Sequence, residues 1–288
     1  MKIKKLPSNL IDKIAAGEVV ERPASVVKEL VENALDSGAR VVEVAIEKGG
    51  KEKIMVRDDG SGMSKEDAEM AFKRHATSKI VSLDDLTAIG TLGFRGEALS
   101  SIAAVSKVTL KTKEAGEVQG TKVIMEGGEK KEQTVCGHPQ GTSFVVYDLF
   151  YNTPARQKFL KTTQTEFKHI REWLEAQALA YPEVSFSLEH NGREIFSYSK
   201  NQSQKERIAM VLGTSLEKYI PIEREDDYFS VGGFVGAPEL ARKRKKNQYL
   251  FINGRYLSNK TVWAAVRKAY QELLPSSLYP PFVLFLDI

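Results

Sequence analysis

The sequence SVVKELVENALDSGAR, at residues 25–40, predicts a helix around which the rest of the chain is organised. At about 100° per residue, one side of this helix is apolar, while Glu29 and Asn33 lie one turn apart on another face. Ser25 is the expected N-cap, and Gly38 is the expected C-terminal stop. The apolar stripe consists of Val27, Leu30, Val31, Ala34 and Leu35. Taken alone, the polar face fits either solvation or a binding site.

Length and composition place the chain among soluble proteins of two domains. It has 288 residues, of which 42% are hydrophobic and 28% charged, and this length exceeds that of one small core. The lone Cys136 excludes an internal disulfide and favours a reducing compartment. Polar residues interrupt the N-terminus where a secretion signal would be apolar, and no apolar run is long enough to cross a bilayer. We therefore expect a cytoplasmic protein, and its net charge of +4 says little about partners.

The alternation of patterns along the chain predicts an α+β fold. A strand pattern at residues 40–46, a turn at Gly49-Gly50 and a second strand pattern at residues 53–56 follow the opening helix as a hairpin. A helix that leads into an antiparallel pair is typical of a layered domain. Asn253-Gly254 indicates another hairpin turn far along the chain.

Turn residues at positions 151–154, YNTP, predict a domain boundary. Residues 1–150 are then the first domain, and residues 151–288 are a second, smaller one. The strand pattern at residues 281–288 leads us to expect that the second domain is truncated at its C-terminal end.

Residues 58–62, DDGSG, follow directly on a predicted strand. Such a sequence is common in tight turns between a strand and a helix. It is also typical of a site where glycines let the backbone approach a flat ligand and a carboxylate, here Asp58, accepts a hydrogen bond from an exocyclic amine. The alternating acidic positions and the closing glutamate of a calcium loop are missing.

Residues 93–99, GFRGEAL, open another predicted helix. Glycines at a helix N-terminus either cap the helix or free backbone N–H groups to hold phosphate. The segment has neither the lysine-serine end of a Walker A loop nor the three-glycine spacing of a Rossmann fingerprint. Upstream, residues 74–79, RHATSK, supply Lys79 as a cation that reaches phosphate or remains on the surface.

Taken together and in this order, the motifs resemble the ATP-binding motifs of the superfamily that contains gyrase, the Hsp-ninety chaperones, histidine kinases and MutL. Longer segments are similar to the MutL family of DNA mismatch-repair ATPases, and the resemblance runs from the N-terminus to the last residue. These segments are IAAGEVVERP at 14–23, RHATSK at 74–79, GFRGEAL at 93–99 and LFYNTPAR at 149–156. The resemblance implies a two-layer α/β sandwich with a mixed sheet that binds ATP, followed by a smaller α/β domain like that of ribosomal protein S-five.

The resemblance also implies a role for each matching residue, with ATP and Mg²⁺ as cofactors. Glu29 matches the general base that activates the attacking water, and Asn33 matches the magnesium ligand. Asp58 matches the carboxylate that reads adenine. The other nucleotide-binding residues are Gly62, Met63, Thr77, Lys79, Gly93, Phe94, Arg95, Gly96, Glu97, Ala98, Leu99 and Thr142. Phosphoryl transfer needs positioning and charge neutralisation, and this set of residues supplies both.

One feature of the family is absent from this sequence. In the family, a lysine of the second domain reaches the γ-phosphate from a segment beyond the point where this chain ends. The resemblance therefore implies that the chain binds ATP but hydrolyses it slowly. The C-terminal dimerisation region, which in some members carries a metal-dependent nuclease, also lies beyond it.

The densest basic run, RKRKK at residues 242–246, is either a solvated loop or a DNA-binding surface with salt-dependent affinity. The resemblance favours DNA and adds Arg267, which matches a DNA-binding position of the family. The expected DNA-binding residues are Arg242, Lys243, Arg244, Lys245, Lys246 and Arg267. The implied partners are non-specific DNA near the bacterial nucleoid, a second copy that dimerises with ATP through an N-terminal arm at residues 1–20, a mismatch sensor and a downstream nuclease or helicase.

Two alternatives remain at this point. The ATPase half of a type II topoisomerase shares the ATP motifs, but it does not account for the segments at residues 74–79 and 149–156. A nucleotide-gated interaction scaffold, whose hydrolysis is incidental, would keep its partner binding after Glu29→Ala.

Overall fold

The computed structural model describes residues 16, 17, 19–76 and 96–288. The described residues up to Trp173, together with Val184–Lys200, form one compact unit. Leu174–Glu183 and Asn201–Ile288 form a second one. None of the helices in the described ranges combines the length and the apolar character that a membrane span requires.

The opening helix, α1, spans Pro23–Asp36. Its N-cap is Arg22, whose backbone is extended, and no side chain caps this end. The prediction of Ser25 as N-cap is therefore wrong, because the observed N-cap lies three residues earlier. Pro23 explains the earlier start, since its fixed φ suits the first helical turn and its missing N–H is no loss there.

The end of α1 confirms the predicted stop at Gly38. Gly38 has a φ of 78°, and its N–H donates to the carbonyl of Leu35 at 3.0 Å. The N–H of Ala39 donates to the carbonyl of Ala34 at 3.2 Å, which completes a Schellman motif. On the apolar face, Val27, Leu30, Val31 and Ala34 are buried as predicted, with Val26 beside them.

The first unit is built on a mixed sheet of eight strands within the described residues, in the order β5-β4-β3-β6-β2-β1-β7-β8. The strands are β1 (Val41–Glu47), β2 (Lys53–Asp58), β3 (Lys107–Lys113), β4 (Gly120–Glu126), β5 (Glu129–Cys136), β6 (Gly141–Tyr147), β7 (Ser185–His190) and β8 (Arg193–Tyr198). The pairing of β1 with β7 is parallel, and the other pairings are antiparallel. Alternate residues of β1, β2, β3 and β6 are buried, as expected for a sheet covered by helices on one face. The α+β, mixed-sheet prediction is confirmed.

The remaining helices of this part of the chain are short, apart from the last. They are α2 (Lys65–Met70), α3 (Ala98–Ala104), α4 (Pro154–Phe159) and α5 (Thr163–Ala180). Helix α1 contacts β1, β2 and α3. This packing places α1 against the strand that ends in Asp58.

The division into units differs from the sequence-based boundary at 150/151. Strand β7 pairs in parallel with β1, with Val44 opposite Leu188, and β8 continues the sheet beyond it. Strands β7 and β8 therefore belong to the first unit although they follow the turn at residues 151–154. A strand pattern shows that a segment is extended, but it does not show which sheet the segment joins.

The second unit has a smaller mixed sheet, with the order β12-β11-β13-β10-β9 in the described residues. Its elements are α6 (Gln204–Leu212), β9 (Tyr219–Glu225), β10 (Ser230–Gly236), β11 (Gln248–Ile252), β12 (Arg255–Tyr256), α7 (Lys260–Ala269) and β13 (Phe282–Asp287). The predicted turn at Asn253-Gly254 joins β11 to its antiparallel partner β12. Helix α7 packs through Val262, Trp263 and Val266 on a core that includes Leu250 and Leu284.

Candidate functional site

Asp58, the last residue of β2, is a buried carboxyl group, 9% exposed. One carboxyl oxygen, Oδ1, accepts a hydrogen bond from the backbone N–H of Gly60 at 2.9 Å, and the backbone N–H of Thr142 also donates to this carboxyl. Burial nevertheless raises the pKa of Asp58 from 3.8 to about 6, and the neighbouring Asp59 adds to the rise. A carboxylate that has lost its water is suited to accept an N–H from a buried ligand.

The adjacent Asp59 has a structural role. Its Oδ1 accepts the backbone N–H groups of Arg40 at 2.7 Å and of Val41 at 2.8 Å. Asp59 thereby ties the end of β2 to the start of β1. Of the two neighbouring carboxylates, Asp58 is therefore the candidate for a ligand, and Asp59 holds the backbone.

A buried hydroxyl group connects the loop after β2 with the neighbouring strands. The Oγ1 of Thr112, which is fully buried, accepts the N–H of Met63 at 2.9 Å. The same oxygen lies 3.2 Å from the carbonyl oxygen of Gly141 and 3.1 Å from Oγ1 of Thr142. Sequence reasoning missed Thr112. Its only signal was a threonine at a position of β3 that alternation places on the buried face.

Two glycines allow the close approach of backbone segments around Asp58. Gly62 has a φ of 74° and Gly141 a φ of 111°, both in the region that side chains disfavour. A Cβ on Gly62 would lie 2.0 Å from the carbonyl oxygen of Lys113, and one on Gly141 would lie 2.1 Å from that of Asp58. The glycine at position 62 therefore shapes this wall of the site, as expected for a loop that approaches a flat ligand.

The C-terminal end of α1 contacts the same loop. Ser37 directly follows α1, and its carbonyl accepts the N–H of Ser61 at 3.1 Å. Asn33 and Glu29 precede Ser37 by one and two turns, or about 6 and about 12 Å along the helix axis. Both are half-buried. The structure thus places an amide and a carboxylate on a line that starts at the Asp58 loop.

The described ends of two predicted motifs lie together. His75 Nδ1 lies 3.2 Å from Glu97 Oε1. Gly96 has a φ of 61°, and a Cβ there would lie 2.7 Å from the carbonyl oxygen of Ala76. Ala98 and Leu99 form the start of α3 and are half-buried. The predicted residues Thr77, Lys79, Gly93, Phe94 and Arg95 lie outside the described residues.

No group of three or more His, Cys, Asp or Glu side chains in the described ranges could hold a metal ion. The magnesium ligand predicted from the sequence, Asn33, would supply a single protein oxygen. Such a donor set fits Mg²⁺, because this ion keeps several waters and is usually bound by one or two protein oxygens together with substrate phosphates.

The basic residues form a surface of their own in the second unit. All five side chains at 242–246 are exposed, as is Arg267 of α7. The backbone of Arg242 exchanges two hydrogen bonds with that of Tyr279, at 3.0 and 2.8 Å. The guanidinium carbon of Arg267 lies 5.9 Å from the centre of the same Tyr279 ring. The structure thus brings Arg267 to the basic run, as expected if both contact one ligand.

Two family models match the chain. The model described as "Histidine kinase-, DNA gyrase B-, and HSP90-like ATPase" matches residues 21–147. The model described as "DNA mismatch repair protein, C-terminal domain" matches residues 208–288. The DNA mismatch repair protein MutL of Geotalea daltonii is 48% identical over 288 residues, which are 100% of this chain and 48% of that protein. The chain spans about half the length of the curated relatives it matches.

Solved structures show the same likeness. The MutL ATPase domain of Aquifex aeolicus, complexed with ADP, is 32% identical and has a TM-score of 0.69. The match covers 94% of this chain and 93% of that one. The crystal structure of the N-terminal domain of a DNA repair protein is 26% identical, with a TM-score of 0.83 over 99% of this chain and 89% of that one.

Proposed function

Because the chain belongs to the MutL family of DNA mismatch-repair proteins and carries the ATPase domain of that family, we propose that it binds ATP and hydrolyses it slowly. ATP binding then drives dimerisation into a clamp that holds DNA and signals to repair partners in the bacterial cytoplasm. The observation that carries the proposal is the buried Asp58 carboxyl, enclosed by the backbone of residues 60–63 and by Thr142.

Asp58 is the adenine-binding residue in this proposal. Burial raises its pKa to about 6, because the charged carboxylate is deprived of hydration. An exocyclic amine that donates to this carboxylate restores part of that loss. Thr112 holds the N–H of Met63 and contacts Thr142, so the loop and strand that flank the base keep their spacing. Gly62 lets the backbone approach the flat base.

Glu29 and Asn33 act on the phosphates. With the base at Asp58, the triphosphate extends along α1. Measured along the helix axis from Ser37, which contacts the loop, Asn33 lies at about 6 Å and Glu29 at about 12 Å. The Glu29 carboxylate orients the attacking water and takes its proton. Asn33 would hold a magnesium ion, which would supply charge neutralisation on the phosphate oxygens. Gly96 and Glu97 directly precede α3, and α3 contacts α1.

The test of this assignment separates binding from turnover. Glu29→Gln keeps the size and the hydrogen-bonding shape of the side chain but removes the base. We expect nucleotide affinity within about threefold of the parent and a fall in hydrolysis rate of roughly 10²–10⁴-fold. Glu32→Gln is the matched control, because Glu32 lies on the same helix and pairs with Lys28 at 3.8 Å. Parental hydrolysis by Glu29→Gln would exclude Glu29 as the base.

DNA contact is assigned to the basic surface formed by residues 242–246 and Arg267. Exposed cations of this kind bind backbone phosphates without sequence preference, and each contact adds about 0.9 to the slope of log affinity against log salt. Changing Lys243, Arg244 and Lys245 to Glu should abolish binding at low salt. The control variant reverses three exposed cations of the first unit, Lys158, Arg193 and Lys200. Equal DNA affinity of the two variants would refute this assignment.

ATP-dependent self-association completes the proposed clamp. The expected N-terminal arm, residues 1–20, falls largely outside the described residues, so this part rests on membership of the family. Sedimentation with and without a non-hydrolysable ATP analogue should show a dimer only with nucleotide. A monomer in both conditions would contradict the clamp. The match of residues 208–288 to a mismatch-repair domain argues against the topoisomerase alternative.

A further inference from the structure

Lys245 differs from its neighbours in the basic run. Its ammonium nitrogen lies 3.9 Å from the centre of the Trp263 ring and 5.7 Å from that of Tyr279. In the described part of the chain, Lys243, Arg244 and Lys246 are exposed without such a ring contact. Lys245 is therefore held in place over an aromatic face, while these three side chains extend into solvent.

The surroundings of Lys245 are fixed from two sides. The loop is anchored at Arg242 by its backbone hydrogen bonds to Tyr279. On α7, Arg267 lies one turn after Trp263, against the Tyr279 ring, and its Nη2 donates to the carbonyl of Ser276 at 3.0 Å. Two cations, one from the loop and one from α7, thus contact the same Tyr279 ring, and Lys245 also lies over Trp263.

The Trp263 indole has no other polar function that explains its position. Its Nε1 is buried and finds no acceptor within the described residues, although buried tryptophan N–H groups usually have one. The ring packs on the core through α7, and its face is what it offers to Lys245. A smaller apolar side chain would fill part of the same space but would not attract the cation.

We propose that Trp263 is a positioning residue for DNA binding, which holds the Lys245 ammonium beside Arg267 so that both meet the phosphates of duplex DNA. The inference rests on the DNA contact proposed above. A free lysine side chain loses rotamer freedom when it binds, and a lysine already held over a ring loses less of it. The three hydrogens of the ammonium are not all needed by the ring, so phosphate binding does not require Lys245 to leave Trp263.

The test is a double-mutant cycle measured by duplex DNA affinity. Trp263→Leu should weaken binding about two- to tenfold, the range expected for ordering one long side chain. Trp263→Phe keeps an aromatic face and should restore most of the affinity. In a Lys245→Met background, Trp263→Leu should have no further effect, whereas in a Lys243→Met background its effect should remain. Thermal unfolding of each variant checks that the second unit is intact.

The salt dependence of binding gives a second readout. Lys245→Met removes a phosphate contact and should reduce the salt slope by about 0.9. Trp263→Leu should leave the slope unchanged, because the ammonium still reaches the phosphate. Lys245 is exposed, so Lys245→Met tests the inference even where a Trp263 variant unfolds. A loss of DNA affinity in Lys245→Met that is no larger than the loss in Lys243→Met would overturn the inference.

Three other outcomes would overturn the inference. The effect of Trp263→Leu would persist in the Lys245→Met background if the indole acted on DNA directly or only on the fold. An increase in affinity on Trp263→Leu would mean that the ring withholds Lys245 from DNA. A parent chain that binds no DNA would overturn the proposed DNA contact itself, and the inference with it, whereas a parent that binds DNA and shows no coupling would overturn the inference alone.

Discussion

Asp58→Asn should stabilise the nucleotide-free chain at neutral pH while it removes the proposed adenine contact. The folded chain holds this carboxyl with a pKa of about 6, against 3.8 for an ordinary aspartate. At about 1.36 kcal/mol per pH unit, the difference corresponds to about 3 kcal/mol. Asn keeps the oxygen that accepts the N–H of Gly60 and carries no charge. The gain of about 3 kcal/mol is an upper limit, because the parent carboxylate also relaxes when it ionises.

The sign of the pH dependence follows from proton binding. Below about pH 4 the carboxyl group is protonated in both the folded and the unfolded chain, so its ionisation contributes nothing. Between about pH 4 and pH 6 the folded chain retains a proton that the unfolded chain has lost, and the free energy of unfolding falls as pH rises. Above pH 6 the loss is complete. The parent and Asp58→Asn should therefore converge near pH 4 and separate fully at pH 7.5.

Thermal unfolding of nucleotide-free protein between pH 4 and pH 8 measures this separation. For a unit of this size, 3 kcal/mol corresponds to about 6–12 °C in Tm. Asp59→Asn is the matched control, because Asn also accepts the N–H groups of Arg40 and Val41 that Asp59 accepts. Its free energy of unfolding should still fall between pH 4 and pH 6, by slightly less than in the parent, because Asp59 adds only the smallest part of the rise in the pKa of Asp58. Equal Tm values for the parent and Asp58→Asn at pH 7.5, or a less stable variant, would refute the desolvated carboxylate.

Two further changes test the walls of the site. Gly141→Ala places a Cβ 2.1 Å from the Asp58 carbonyl oxygen and should lower the free energy of unfolding by more than about 2 kcal/mol. The control Gly116→Ala, at a glycine that also has a positive φ but nothing within 4 Å, should cost only about 1 kcal/mol. Equal losses in the two variants would contradict the close approach. Thr112→Val leaves the Met63 N–H without its acceptor and should cost about 1–3 kcal/mol in urea unfolding, while Thr112→Ser should keep most of the stability; a neutral Thr112→Val would show that the hydroxyl is not needed.

Much of the fold and of the candidate site could be predicted from local patterns. The buried face of α1 and its end at Gly38 follow from helical periodicity and from the freedom of glycine in the left-handed region. The position of Asp58 directly after a strand, with Gly62 in the loop that follows, could also be predicted from local strand and turn patterns. The motif order then indicated the family, which the comparisons confirm.

What could not be predicted depends on contacts between distant segments. Strand β7 joins β1 in the first sheet, and its own sequence does not specify that partner. Thr112 matters only because Met63 and Thr142 come within hydrogen-bonding distance of it. The Tyr279 ring that Lys245 and Arg267 share likewise appears only when the basic run and α7 are placed side by side.

The most direct test of the account is calorimetric binding of a magnesium-bound, non-hydrolysable ATP analogue to the parent chain and to Asp58→Asn. The account predicts saturable binding by the parent and its loss in the variant, although the variant is folded and more stable at pH 7.5. Binding of equal affinity by both proteins would contradict the assignment of adenine to Asp58. No binding by the parent would contradict the proposal that this chain holds ATP.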